Sequence, residues 1–223
     1  ALSITVATLF VFLLYKAGGL DYIYSHISKV KNRVVKALLT LFFISFPSSL
    51  TGFPLASVMT SGVIFSNAMK DSDVEKKQIT EIVAVGSIIG MIMPPNSIPA
   101  IIASNGAGSV LPTPYNGFFA PQLALSFPVF LIYGFFNIKS LSKGKSESKE
   151  KGSLYLVVTI VVIVAVIFDG LCGSICYIGG NTLYFFLASI LILVIKKGFG
   201  GVRKCIDAFS SSLMEAVVPV AFL

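Results

Sequence analysis

Pro47-Ser48-Ser49-Leu50-Thr51-Gly52-Phe53-Pro54 and Gly90-Met91-Ile92-Met93-Pro94-Pro95-Asn96-Ser97-Ile98-Pro99 interrupt two apolar segments between Lys36 and Ser104. Neither segment reads as an unbroken helix. Proline lacks the backbone N–H, its ring crowds the preceding turn, and the residue before it is pushed out of the α region. Lipid offers no partner to the groups that such breaks set free. Broken helices at membrane depth are therefore expected where protein or a water-filled cavity covers them. In secondary transporters that place is the binding site.

The rest of the chain supports a membrane setting. Of 223 residues, 55% are hydrophobic and only 12% charged. Soluble domains carry about twice that charge. Mean hydropathy is +0.89, and apolar runs near the spanning length of about 20 residues recur. The expected class is an all-α polytopic membrane protein. The net charge of +7 sits in short segments between apolar runs, a pattern of membrane topology and not of nucleic-acid binding. The chain begins at Ala1 without Met and ends on Ala221-Phe222-Leu223, so it reads as a fragment or one half of a larger architecture.

Residues 1–15 are apolar and short for a span. Residues 16–36 alternate charged and apolar positions three or four apart, as in a helix lying along the interface. Ala37 to Phe46 is a ten-residue apolar arm, which reaches about 15 Å, half the hydrocarbon core. A second arm runs from Leu55 to Met69, and the polar turn 70–77 follows. The expectation for 37–69 is a re-entrant hairpin with its tip near mid-membrane. A broken helix follows over 79–104, then an uncharged loop, a span over 118–137 and a flexible basic linker over 138–152. Further spans are expected at 153–169, 182–195 and 205–223.

Charge distribution bears on the topology. With the basic segments 16–36, 70–77, 138–152 and 196–204 in the cytoplasm, the uncharged 105–117 and nearly uncharged 170–181 fall outside. That holds only if 37–69 enters and leaves on one side. Two complete spans satisfy the charges equally; the short first arm is what favours a hairpin.

Thr51-Gly52, Gly62, Ala68-Met69-Lys70, Ser87-Ile88-Ile89-Gly90 and Pro94-Pro95-Asn96 together resemble the large membrane subunit of TRAP (tripartite ATP-independent periplasmic) transporters, within the ion-transporter superfamily. Gly117-Phe118-Phe119-Ala120-Pro121 is similar to that family's next helix start. The resemblance covers the whole chain and is most specific over 51–99. It departs at the tip, where Phe53 and Pro54 stand for two hydroxyls, and at Asn96, where Ser is usual. Tyr177-Ile178-Gly179-Gly180 stands where the family has an acidic motif.

The resemblance implies an inverted-repeat, elevator-type transporter. Residues 1–137 would form the first-repeat transport region and 153–223 the start of the second. It implies sodium-coupled import of small organic anions, of C4-dicarboxylate or sialic-acid type, across a bacterial inner membrane. The implied partners are a small membrane subunit and a periplasmic binding protein. Sodium prefers neutral oxygens from unwound backbone and from Ser, Thr or Asn, and half-helix ends orient a carboxylate. The expected substrate-binding residues are Ser48, Ser49, Thr51, Pro94, Pro95, Asn96 and Ser97. Those expected at sodium are Thr51, Gly52, Gly90 and Asn96. Two alternatives stay open: an anion carrier of the same superfamily that works without a binding protein, and a non-transporting structural membrane subunit.

Other chemistry finds little support. No His-Glu-x-x-His, Gly-x-Ser-x-Gly or intramembrane Asp pair occurs, so no catalytic residue and no enzyme activity are expected. Cys172, Cys176 and Cys205 lack metal-ligand spacing and read as small apolar fillers. No organic cofactor is expected. His26 and Asp169 read as interfacial.

Overall fold

The computed structural model describes residues 2–94, 97, 116–145, 153–172 and 181–197. Every regular element among them is a helix: α1 (Leu2–Lys16), α2 (Gly19–Ser28), α3 (Arg33–Thr51) and α4 (Pro54–Ser57), then a π turn (Val58–Gly62) and α5 (Val63–Ala68). They continue with α6 (Lys76–Ile92), α7 (Asn116–Phe136), α8 (Ile138–Leu141), α9 (Ser153–Cys172) and α10 (Asn181–Lys197). The expected all-α class holds for these residues.

α1 is apolar on every side, and a helix of that kind is buried. Ala7, Leu9, Phe10, Val11 and Leu14 are wholly enclosed. α1 packs against α10 and α3, with the Phe10 and Phe185 rings 5.7 Å apart. Gly18 turns the chain with φ 78, a left-handed conformation that glycine adopts at little cost. Residues 16–36 are therefore not one interfacial helix. α2 stops at Ser28, and the side chain of Asn32 caps a new helix by accepting the Val34 and Val35 N–H groups at 3.0 and 3.3 Å. Leu20 and Tyr24 of α2 are fully buried, while His26 is exposed.

α3 corrects the expected arm length. It continues through Pro47 to Thr51, 19 residues instead of ten, or about 28 Å. The short arm therefore no longer distinguishes a re-entrant hairpin from two spans. The break falls at Gly52-Phe53. Gly52 has φ 71 and its N–H returns to the Ser48 carbonyl at 2.7 Å, a left-handed glycine stop. Pro54 then opens the return arm α4–π–α5 at a first helical position, where its missing N–H costs nothing.

α3 is also the one described helix that is by itself long and apolar enough to cross a membrane; α1 and α2, bent by 67°, pass that test only as a pair. Ala120–Phe136 and Ser153–Ala165 are shorter apolar helices. The segment after α8 is docked. Lys145 N–H donates to the Ala68 carbonyl at 3.2 Å, Lys36 Nζ to the Gly144 carbonyl at 2.9 Å, and Lys143 Nζ meets Asp73 Oδ2 at 2.8 Å. The beginning of the expected flexible linker thus ties the hairpin exit to the start of α3. Of the expected loop 105–117, residues 105–115 lie outside the described residues and Asn116 and Gly117 begin α7; the span 205–223, and Pro95 and Asn96, also lie outside the described residues.

Candidate functional site

Pro47 cannot offer an N–H to the α3 ladder. One turn away, the hairpin's return arm takes up polar groups of the same stretch. In a regular helix the Ile44 carbonyl and the Ser48 N–H face each other. In this helix the Ser48 N–H donates to Ser57 Oγ at 2.8 Å, and the Ile44 carbonyl accepts from Ser61 Oγ at 3.1 Å. Ser48 Oγ and Ser57 Oγ lie 2.7 Å apart. A helical turn distorted by proline is thus stitched by hydroxyls from the arm that folds back beside it.

α6 closes the other side. Its glycines Gly86 and Gly90 lie four apart and face α3. A Cβ at Gly86 would meet Ile44 Cγ2 at 2.8 Å, and one at Gly90 would meet the Ser45 carbonyl oxygen at 2.1 Å and Ser48 Oγ at 2.6 Å. Such small residues let two backbones approach closely. The approach brings hydroxyls to carbonyls: Ser45 Oγ donates to the Gly86 carbonyl and Ser48 Oγ to the Ser87 carbonyl, each at 2.8 Å. Gly62 fits the return arm against α6 in the same way, its added Cβ meeting Val83 Cγ1 at 2.6 Å.

These contacts fix the direction of the two helices. Gly86 meets Leu41 and Ile44, and Gly90 meets Ser45 and Ser48, so α3 and α6 run parallel. α6 ends at Met93, extended at φ −78 and ψ 143 before Pro94. Met93 lies three residues past Gly90, and Gly52 lies four past Ser48. Two helix C-termini therefore finish at one level. Each end carries the negative pole of its helix dipole. The return arm starts beside them at Pro54.

The expected residues divide accordingly. Ser48, Thr51, Gly52 and Gly90 belong to one crossing of α3, α4 and α6. Ser48 and Thr51 are wholly buried. Thr51 Oγ1 donates to the Pro47 carbonyl at 2.9 Å and accepts the Phe53 N–H at 3.1 Å, which secures the turn itself. Ser49 Oγ donates within its own helix to Phe46 at 2.9 Å. Ser97 is buried, and Pro94 is part-buried at the end of α6. The hydroxyls of Ser48, Ser49 and Thr51 are thus engaged inside the protein.

Sequence reasoning missed Ser45, Ser57, Ser61 and Ser87. Ser45 and Ser48 are three apart on one face of α3, and Ser57 and Ser61 four apart on the return arm. That helical spacing of hydroxyls around a proline was the available signal. The open apolar groove of about 370 Å³ between α9 and α10, lined by residues such as Val157, Val161 and Leu187, contains none of the expected site residues.

The fold and site define an all-helical bundle with a hydroxyl-lined crossing at a helix break. No family model, curated protein or solved structure matches the chain.

Proposed function

We propose that this chain is a membrane-embedded subunit of a secondary transporter of the TRAP type. In this reading it couples sodium to the import of a small organic anion across a bacterial inner membrane, with a small membrane subunit and a periplasmic binding protein as partners. One observation carries the proposal: the parallel C-termini of α3 and α6 end at one level inside the bundle, with carbonyls suited to a hard cation. The start of the return arm lies beside them, and its positive pole suits a carboxylate.

The distribution of polarity supports the membrane setting. Ser45, Ser48, Thr51, Ser57, Thr60 and Ser61 are buried, whereas large apolar side chains face outward. Leu125 is 74% exposed and Phe136 84%. That arrangement is costly in water and favourable in lipid.

A second reading has its own support. The hydroxyls at the crossing are satisfied within the protein, as interhelical glue would be. A non-transporting structural subunit is the corresponding proposal. Uptake of labelled C4-dicarboxylate or sialic acid into proteoliposomes, with and without a sodium gradient, decides between them. Sodium-dependent uptake that falls at least tenfold in Thr51→Ala supports transport through this site. Unchanged uptake and sodium dependence in Thr51→Ala and Asn96→Ala would remove the site assignment.

A further inference from the structure

Over residues 120–136, α7 meets the bundle through one stripe, with Leu131 half-buried at its edge, and is otherwise exposed. Gln122, Ser126, Phe130 and Gly134, spaced four apart, form that stripe, with Tyr133 beside it. Three of these five carry polar atoms. Gln122 Oε1, Ser126 Oγ and Tyr133 Oη are buried, and among the described residues none hydrogen-bonds to them. Ser126 is only 1% exposed. The outer face is apolar, with Leu125, Phe127, Val129 and Ile132 exposed. α7 therefore turns unsatisfied polar atoms inward and hydrocarbon outward. Buried polar groups nearly always have a partner, and a group without one calls for water or a ligand.

The register places this stripe. A Cβ at Gly134 would meet Leu38 Cδ2 at 2.7 Å and Leu41 Cδ2 at 3.4 Å. Beyond α7 the chain reaches Gly144, whose carbonyl meets Lys36, so α7 runs antiparallel to α3. Ser126 lies eight residues from Gly134, about 12 Å. Ser49 lies eight residues from Leu41. Counted from the nearer contact, Leu38, the same step reaches Phe46, so Ser126 stands at the level of Phe46 to Ser49, and Gln122, one turn further, at the level of the hairpin tip.

We propose that the seam between α7 and the α3–α6 pair is a hydrated site. Water fills it against Gln122, Ser126 and Tyr133. The proposal shares the membrane setting given above but needs no transport step.

Cysteine chemistry tests it. Thiols react as thiolates, which form where water is present and not in hydrocarbon. In a protein whose Cys172, Cys176 and Cys205 are replaced by Ala, Ser126→Cys and Val129→Cys are treated with the charged reagent 2-sulfonatoethyl methanethiosulfonate in proteoliposomes. Val129 is 46% exposed and Ser126 enclosed, so an aqueous surface and a hydrated seam give opposite orders. The expected result is Ser126→Cys reacting at least tenfold faster than Val129→Cys. Gln122→Cys replaces Ser126→Cys should the latter not give a monodisperse protein. Failure of both seam cysteines to react overturns the hydrated seam and leaves the membrane setting standing. Val129→Cys reacting as fast as the seam cysteine overturns the membrane setting itself. Uptake measured on the same vesicles reports separately on transport.

Discussion

At the scale of single residues, glycines separate two kinds of constraint. Gly90 is constrained by space, because a Cβ there would fall 2.1 Å from the Ser45 carbonyl oxygen, and backbone cannot swing aside. Gly18 is constrained by conformation alone: its φ is 78, and nothing lies within 4 Å of an added Cβ. Gly90→Ala is predicted to destabilise by about 3 kcal/mol through overpacking. Gly18→Ala should cost about 1 kcal/mol through the left-handed backbone. Thermal unfolding in detergent measures both, and equal shifts would contradict this distinction. Asp73 gives a residue-scale prediction in pH. The Lys143 hydrogen bond, then its own backbone and the Lys143 charge, hold its carboxyl below the ordinary value of 3.8. A depressed carboxyl contributes above the unfolded value and loses that contribution as pH falls through the folded one. The contact between Asp73 and Lys143 should therefore persist below pH 3.8. In Lys143→Met, Asp73 should titrate closer to the ordinary value, as followed by its carboxyl chemical shift. An unchanged midpoint would mean that Lys143 is not the cause.

At the scale of elements, the central prediction concerns how the hairpin arms are joined. Ser48 and Ser57 share two hydrogen bonds, one through the Ser48 N–H and one between hydroxyls. Ser48→Ala and Ser57→Ala should each cost about 1 kcal/mol. Their double mutant should fall short of the sum by about 1 kcal/mol, since contacting residues couple. Additivity within about 0.3 kcal/mol would show that the arms are held elsewhere. The same elements show what was legible in the sequence. The stop at Gly52-Phe53-Pro54 was readable because glycine and proline restrict the backbone locally, and so was the end of α6 before Pro94. The continuation of α3 through Pro47 was not. Proline weakens a helix by local rules, but Ser57 and Ser61 arrive from a later part of the chain, and hydrogen bonds supplied from a distance override a local preference. Residues 16–36 failed for a related reason. Their apolar spacing suits one helix, and the period alone cannot register the Gly18 turn or the Asn32 cap. The candidate site was legible as a place and not as a chemistry. Ser48, Thr51, Gly52 and Gly90 gather at one crossing, yet which atoms remain open depends on partners that only the packing of α3, α4 and α6 supplies.

At the scale of the whole molecule, hydrophobic composition must be separated from location. A buried α1 and an exposed α7 are both apolar, and only the second requires something outside the protein to cover it. The chain contains no Trp, so one introduced Trp reports its surroundings without background. Leu125 lies on the outer face of α7 and is 74% exposed, which makes substitution there sterically easy. If that face meets acyl chains, Leu125→Trp in proteoliposomes should emit at short wavelength and lose at least half its intensity when the lipids carry brominated chains. Tyr24→Trp would be a poor control, since that site is filled. Lys139→Trp is a better one: Lys139 is exposed on α8, next to the segment that contacts Asp73. It should emit at long wavelength and respond to aqueous iodide instead. Long-wavelength, unquenched emission from Leu125→Trp would assign the apolar face to a protein partner and remove the bilayer from the proposal. Opposite responses from the two positions would place α7 in lipid with α8 at the water boundary. The orientation follows from a third position: if the basic segments face the cytoplasm, a cysteine replacing Asp73 should label only from that side, because Lys143 of the segment beyond α8 contacts Asp73, and labelling from the opposite side would overturn that orientation.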